Sequence, residues 1–190
     1  MKQKVKGTKG EKSREQLIEC AARLFLEKGY NATGINEILN NAGLTKGSFY
    51  FYFSSKKDLA IAVSEYYSQL KLGEVLEAAN DRTWGDFIEK FVGDMIKKSK
   101  GKQVFGCPVA VLGMEVAFIE PDISAKNYVT FKSLVSVFED VLKRSGMPEE
   151  KAAINAERAL AIFEGYLLFY RLSKDTNELE KLLRDLKEIL

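Results

Sequence analysis

The sequence contains no histidine, only three prolines and only two cysteines. Without an imidazole there is no histidine general acid or base, no Ser-His-Asp or Cys-His nucleophile and no imidazole metal site. Cys20 and Cys107 lie far apart with no CxxC spacing. That excludes a disulfide framework and a cysteine-rich zinc site. Long hydrophobic runs are also missing: the stretch Pro108 to Ile119 is interrupted by Gly113 and Glu115 and is too short to span a bilayer. The opening residues, MKQKVKGTKGEK, are basic but lack the apolar core of a signal peptide. Free thiols without an export signal give the expectation of a cytoplasmic protein. No phosphate-cradling glycine loop and no cluster of carboxylates stands out. Enzyme chemistry is therefore disfavoured, and no catalytic residue, metal or cofactor is expected.

What remains is a chain of 190 residues, 46% hydrophobic, long enough for one domain or two small ones. No proline precedes Pro108, and 3.6-residue periodicity runs through most of the chain, so the fold class reads as all-α. Residues 1–10 carry Lys2, Lys4, Lys6 and Lys9 and read as a mobile basic arm. From Ser13 an apolar stripe (Leu17, Ile18, Ala21, Ala22, Leu24, Phe25) leads to Gly29 as a C-cap. Thr33 is a candidate N-cap for a short helix ending at Gly43, and Thr45 caps another from Lys46 to about Phe51. Ser55-Lys56-Lys57-Asp58 and Thr83-Trp84-Gly85-Asp86 both fit a capping box. Cys107-Pro108 reads as an N-cap followed by a first-turn proline, with its helix running to Ile119. Helices over Asp122–Ser145, from Pro148 to about Leu172, and from Thr176 onward complete about nine.

The formal charge of +2 conceals an asymmetry. Residues 1–60 hold eleven basic and six acidic side chains, a net +5, and the other 130 hold 18 basic and 21 acidic, a net −3. A positive head on a negative body suggests a polyanion-binding module joined to a partner-binding one. Two short helices with a glycine turn between them, after a longer scaffolding helix, are the layout of a helix-turn-helix. Ile35, Ile38, Leu39, Leu44 and Phe49 hold the pair together, while Lys46, Gly47, Ser48 and Tyr50 come near the start of the second helix. Small residues there admit the DNA backbone, and Lys and Tyr reach phosphates or base edges. Phe49 and Phe53 are expected in the core and Tyr50 on the DNA side. Lys56 opens the next helix, where amides and dipole attract phosphate.

The run AGLTKGSFYFYFSSKKDL, preceded by Gly29-Tyr30 and Thr33, resembles the TetR family of transcriptional regulators over roughly residues 11 to 60. The resemblance implies operator contacts from Thr33, Thr45, Lys46, Gly47, Ser48, Tyr50 and Lys56. Two positions depart from the family pattern. Gly34 replaces a larger or hydroxylated residue, which puts a phosphate contact in doubt, and Phe51 stands where His is frequent. The domains expected are the arm (1–10), a helix-turn-helix head (11–55) and a helical dimerisation and ligand-binding body (56–190).

The resemblance further implies a homodimer, paired through the last two long helices, with a small-molecule pocket in the body. The stripes Ala152, Ala156, Ala159, Leu160, Phe163, Leu167, Tyr170 and Leu179, Leu182, Leu183, Leu186 suit such a contact, an intramolecular core being the alternative. Phe87, Phe91, Cys107, Met114, Phe118, Tyr128, Phe131, Phe163 and Tyr166 are the candidate lining of a largely apolar pocket. The reading is a cytoplasmic, dimeric repressor on double-stranded, palindromic operator DNA, released by a small-molecule inducer, with no membrane partner. The alternative is an activator, or a thiol-based electrophile or oxidant sensor through Cys107, whose place at a helix N-terminus can lower a thiol pKa. Cys20 reads as packing.

Overall fold

The computed structural model describes residues 9–101 and 106–190. Among the described residues the chain forms nine helices and no strand. They are α1 (Lys9–Lys28), α2 (Ile35–Ala42), α3 (Lys46–Tyr52), α4 (Lys56–Ala79), α5 (Trp84–Lys100), α6 (Pro108–Val116), α7 (Pro121–Arg144), α8 (Glu149–Ser173) and α9 (Asn177–Lys187). The all-α class and the number of helices match the sequence reading. Residues 1–8 of the expected basic arm, and residues 102–105, lie outside the described residues. Lys9 and Gly10 open α1 instead of ending an arm, with Glu11 in the first turn favouring the positive end of the helix dipole.

Local chemistry fixes most helix starts. Thr45, Ser55 and Thr83 each accept the N–H three residues on, from Ser48, Asp58 and Asp86. The Asp58 carboxylate also receives the N–H of Ser54 at 3.0 Å, one residue before the cap. α2 ends in a Schellman motif, with Gly43 N–H on Asn40 O and Leu44 N–H on Leu39 O. Gly43 has φ 64°, a left-handed conformation that a Cβ penalises. α6 stops at Val116 rather than Ile119: Ala117, Ile119 and Glu120 turn on the carbonyls of Met114 and Val116 before Pro121 starts α7.

One continuous core runs through head and body, and α4 belongs to both. In the head, Leu17, Leu24 and Phe25 of α1 bury against Ile38, Leu39, Phe49, Phe53, Leu59 and Val63. In the body, Trp84 meets Phe87 and Phe138 edge to face, and its Nε1 donates to Leu186 O at 2.7 Å, tying α9 onto α5. α4 reaches the head through Tyr67, whose hydroxyl donates to Ala22 O. It reaches α7 through Ser64 on Asn127 Oδ1 (2.5 Å) and Ser68 with Thr130 (2.6 Å). No helix among the described residues is long and apolar enough to cross a membrane.

The stripes assigned to a subunit contact require correction. Ala152, Ala156, Ala159, Leu160, Phe163, Leu167 and Tyr170 of α8, and Leu179, Leu182 and Leu186 of α9, are buried within the chain, where α8 packs on α7 and α9 and α9 packs on α5. On its opposite face, α8 exposes Ile154, Leu168, Phe169 and Leu172.

Candidate nucleic-acid interface

α1 holds the two short helices from behind. Gln16 Nε2 donates to Ala42 O (2.9 Å), the Cys20 thiol to Ile38 O (3.5 Å) and Arg23 to Asn41 Oδ1 (3.2 Å). Burial pushes the Cys20 thiol pKa up, consistent with its packing role. Phe49, fully buried, is the anchor of α3, and Phe53 is buried behind it. Lys46, Gly47 and Tyr50 around Phe49 are all exposed, Tyr50 by 60%. Thr45 is exposed too, but its hydroxyl is occupied as the cap and by the Ser48 hydroxyl at 3.1 Å. Lys46 makes no ion pair among the described residues. Gly47 has only the Thr45 hydroxyl within 4 Å of where a Cβ would stand, so the backbone there is open to approach.

Two expected DNA contacts stand differently. Thr33 is wholly buried; its hydroxyl donates to Gly29 O (2.7 Å) and Leu24 O (3.4 Å), closing the turn after α1. Nor does it cap α2, whose N-cap is Gly34 with no side-chain cap bond. A side chain spent inside the fold cannot also reach an operator. Lys56 is half-buried, with its ammonium 4.3 Å from the Tyr30 ring centroid, and burial draws its pKa down. Its ammonium rests on the ring rather than extending outward. Gly34 has open space around it, and Phe51 is 79% exposed, edge-on to the Tyr52 ring at 4.8 Å.

The head is tied to α6 by one carboxylate. Glu115 accepts the N–H groups of Tyr30 (2.6 Å) and Asn31 (2.8 Å). Gly29 makes that approach possible. It has φ 97°, and a Cβ there would stand 2.9 Å from the Glu115 carboxylate oxygens. Lys57 adds ion pairs to Glu120 (2.7 Å) and Asp122 (3.1 Å) at the α6–α7 junction. Sequence reading met Glu115 only as an interruption of an apolar run.

The candidate pocket residues separate into groups. Met114, Tyr128 and Phe131 come together on a cleft of about 300 Å³ between α6, α7 and α8. Phe87, Phe91 and Phe163 do not line it. They stack on one another, with centroids 5.7 and 5.3 Å apart, as core. Phe118 is 99% exposed on the turn after α6, and Tyr166 donates to Asp185 on α9. Cys107 caps the start of α6 without a side-chain cap bond and is buried. Burial, with the Glu164 carboxylate beside it, drives its pKa up, the reverse of an activated thiol. The residues missed are Asn127 and Glu164, both of which line the cleft. Glu164 carried a signal, standing on the apolar face between Leu160 and Leu167. Among the described residues no group of three or more His, Cys, Asp or Glu is placed to hold a metal ion.

Comparison with known proteins agrees with this architecture. Residues 17–63 match the bacterial regulatory proteins of the tetR family, and residues 85–184 match the C-terminal domain of LmrA/YxaF-like transcriptional regulators. The chain is 31% identical over 172 residues to the HTH-type transcriptional regulator LmrA of Bacillus subtilis, covering 88% of this chain and 90% of that one. The uncharacterized regulator YxaF of the same organism is 31% identical over 173 residues, covering 88% and 89%. The crystal structure of reduced Escherichia coli NemR shares the fold at a TM-score of 0.83 and 22% identity, covering 93% of this chain and 96% of that one. The chain belongs to the TetR family and is a helix-turn-helix transcriptional regulator with an LmrA/YxaF-like body.

Proposed function

We propose that the chain is a dimeric repressor that occupies a palindromic operator and leaves it when a small molecule fills the body. The observation that carries the DNA contact is the division of α3: Phe49 is sealed in the core while Lys46, Gly47 and Tyr50 are exposed. On this reading Lys46 meets phosphate, Tyr50 a base edge or phosphate, and Gly47 and Ser48 admit the backbone closely. Thr45 contributes by fixing the first turn of α3. The basic head, the boundary at the Ser55 cap and a cytoplasmic site of action belong to the same reading.

Dimerisation follows from operator geometry, because two recognition helices must meet half-sites about 34 Å apart or a multiple of it. The exposed row Ile154, Leu168, Phe169 and Leu172 on α8 supplies an apolar face for the second copy. Ligand response is supported by the position of α6. Its Gly113 and Met114 line the cleft, and the next residue, Glu115, holds the head. A ligand that prefers a displaced α6 therefore shifts the population toward heads that no longer match successive grooves. Gel shifts on the DNA upstream of the chain's own coding region test the reading. Wild type is expected to bind, and Lys46→Ala with Tyr50→Ala to lose most of that affinity at unchanged melting temperature. Full binding by the double variant would overturn the assignment of α3.

A further inference from the structure

Two buried side-chain atoms among the described residues lack a hydrogen-bond partner: Asn127 Nδ2 and Glu164 Oε1. Both residues line the cleft between α6, α7 and α8. Asn127 is only 2% exposed, and its Oδ1 already takes the Ser64 hydroxyl, which leaves the amide hydrogens over. Gly113 stands so close that a Cβ there would lie 3.3 Å from Nδ2. The Glu164 carboxyl receives the Cys107 thiol, and the Lys71 ammonium of α4, the cation that acts on it, is committed to Glu74 at 2.9 Å. Buried polar groups are rarely left in this state, and two in one cleft call for a partner from outside the chain.

The rest of the lining is mostly apolar, with Val109, Ala110, Met114, Ala117 and Phe131, and adds only the hydroxyls of Ser124 and Tyr128. A second cleft of about 350 Å³ on the other side of Tyr128, Phe131 and Glu164 adds Val135, Leu160 and Ala161, with Lys132 and Glu157 at its rim. The Tyr128 ring already receives the Lys132 ammonium at 5.4 Å, so it serves as a cation platform.

We infer that this site takes an amphipathic organic cation: an apolar, ring-bearing amine whose ammonium pairs with Glu164 and whose oxygen acceptor meets Asn127 Nδ2. A charge-assisted N–H···O bond is the strongest match for an unpaired carboxylate in apolar surroundings. An anion is repelled by that same carboxylate, and a polyhydroxylated ligand meets mostly apolar walls, with Ser124 and Tyr128 the only hydroxyls in the lining. This rests on the ligand-responsive reading above and names its effector class. Glu164 has a pKa lifted to about 7 by burial, so it is ionised and ready for a cation at pH 8.

The test uses three matched probes on the full chain by calorimetry at pH 8: 3-phenoxypropylamine, 3-phenoxypropanol and 3-phenoxypropionate. The amine is expected to bind at least tenfold more tightly than the alcohol, and the acid not at all. Glu164→Gln, close in shape, is expected to erase the preference for the amine, and Tyr128→Leu, on an exposed ring, to weaken the amine more than the alcohol. Equal binding of amine and alcohol in wild type and Glu164→Gln overturns the cation class. If the alcohol then also releases operator in a gel shift, ligand response itself stands. No binding of any probe at millimolar concentration also overturns the cation class. The ligand-responsive reading fails separately, if a panel of neutral, anionic and cationic aromatic compounds leaves operator affinity unchanged.

Discussion

Neighbouring residues of α3 have opposite tasks, and their substitutions should separate accordingly. Phe49→Ala removes a fully buried ring and is expected to cost about 3–5 kcal/mol, read as a drop in melting temperature. Lys46→Ala is expected to leave the melt within about 0.5 kcal/mol and to reduce the slope of log K against log salt by about one phosphate contact. A Lys46→Ala variant with the wild-type slope would remove that residue from the phosphate-contacting set. Glu164 offers a pH test of a different kind. Its folded pKa, about 7, lies above the ordinary value of 4.5. The fold is therefore unpenalised below 4.5 and loses stability as pH rises through 7, by roughly 3 kcal/mol once the group is ionised. Glu164→Gln should accordingly stabilise the chain at pH 8 and do little at pH 4.5, in denaturant titrations at both values. Equal gains at the two pH values would mean that the carboxyl is not the source of the cost. Thr33 shows the limit of local signals: in sequence a threonine before a short helix has the look of a cap, and only the turn after α1 shows its hydroxyl facing the carbonyls of Leu24 and Gly29.

Among the elements, the helix starts were legible because their signals are local. Thr45, Ser55 and Thr83 cap within three residues of themselves, so sequence spacing suffices. Faces were legible only in part. Periodicity identifies an apolar stripe on α8 but does not say whether the chain or a second copy covers it, and here α5, α7 and α9 do. Phe87, Phe91 and Phe163 failed as pocket residues for the same reason, since aromatic spacing cannot tell a stacked core from a lined cleft. The latch from Glu115 to the turn after α1 joins residues far apart in the chain and has no sequence signature. It is nonetheless the link between α6 and the head. Glu115→Gln keeps one acceptor oxygen and loses the charge that strengthens both N–H bonds. It is expected to weaken the effect of a cleft ligand on operator affinity by severalfold while leaving ligand affinity unchanged, measured by gel shift and calorimetry together. Gly34→Ser tests the opposite end of the head. At φ −89° and ψ 153° a serine can cap α2, with an expected gain of a few tenths of a kcal/mol. If operator affinity rises with it, the gap at that position is a missing phosphate contact.

For the whole molecule, the charge division and the exposed row on α8 are the features that matter. The substitution Phe169→Glu places a charge on a residue already exposed in the single chain. It should leave the fold intact and convert a dimer to a monomer in sedimentation, with loss of binding to a two-half-site operator. A variant that stays dimeric moves the subunit contact off this face of α8. The chain's one tryptophan, Trp84, is 1% exposed and bonded to the last turn of α9. Its fluorescence, excited selectively over the tyrosines, is therefore governed by the packing of α5, α7 and α9 in the body, with no second tryptophan in the head to mix with it. Emission shifts and circular dichroism followed along the same melt would then report different events, body opening and total helix loss, and any gap between the two curves would give the independent stability of the DNA-binding head.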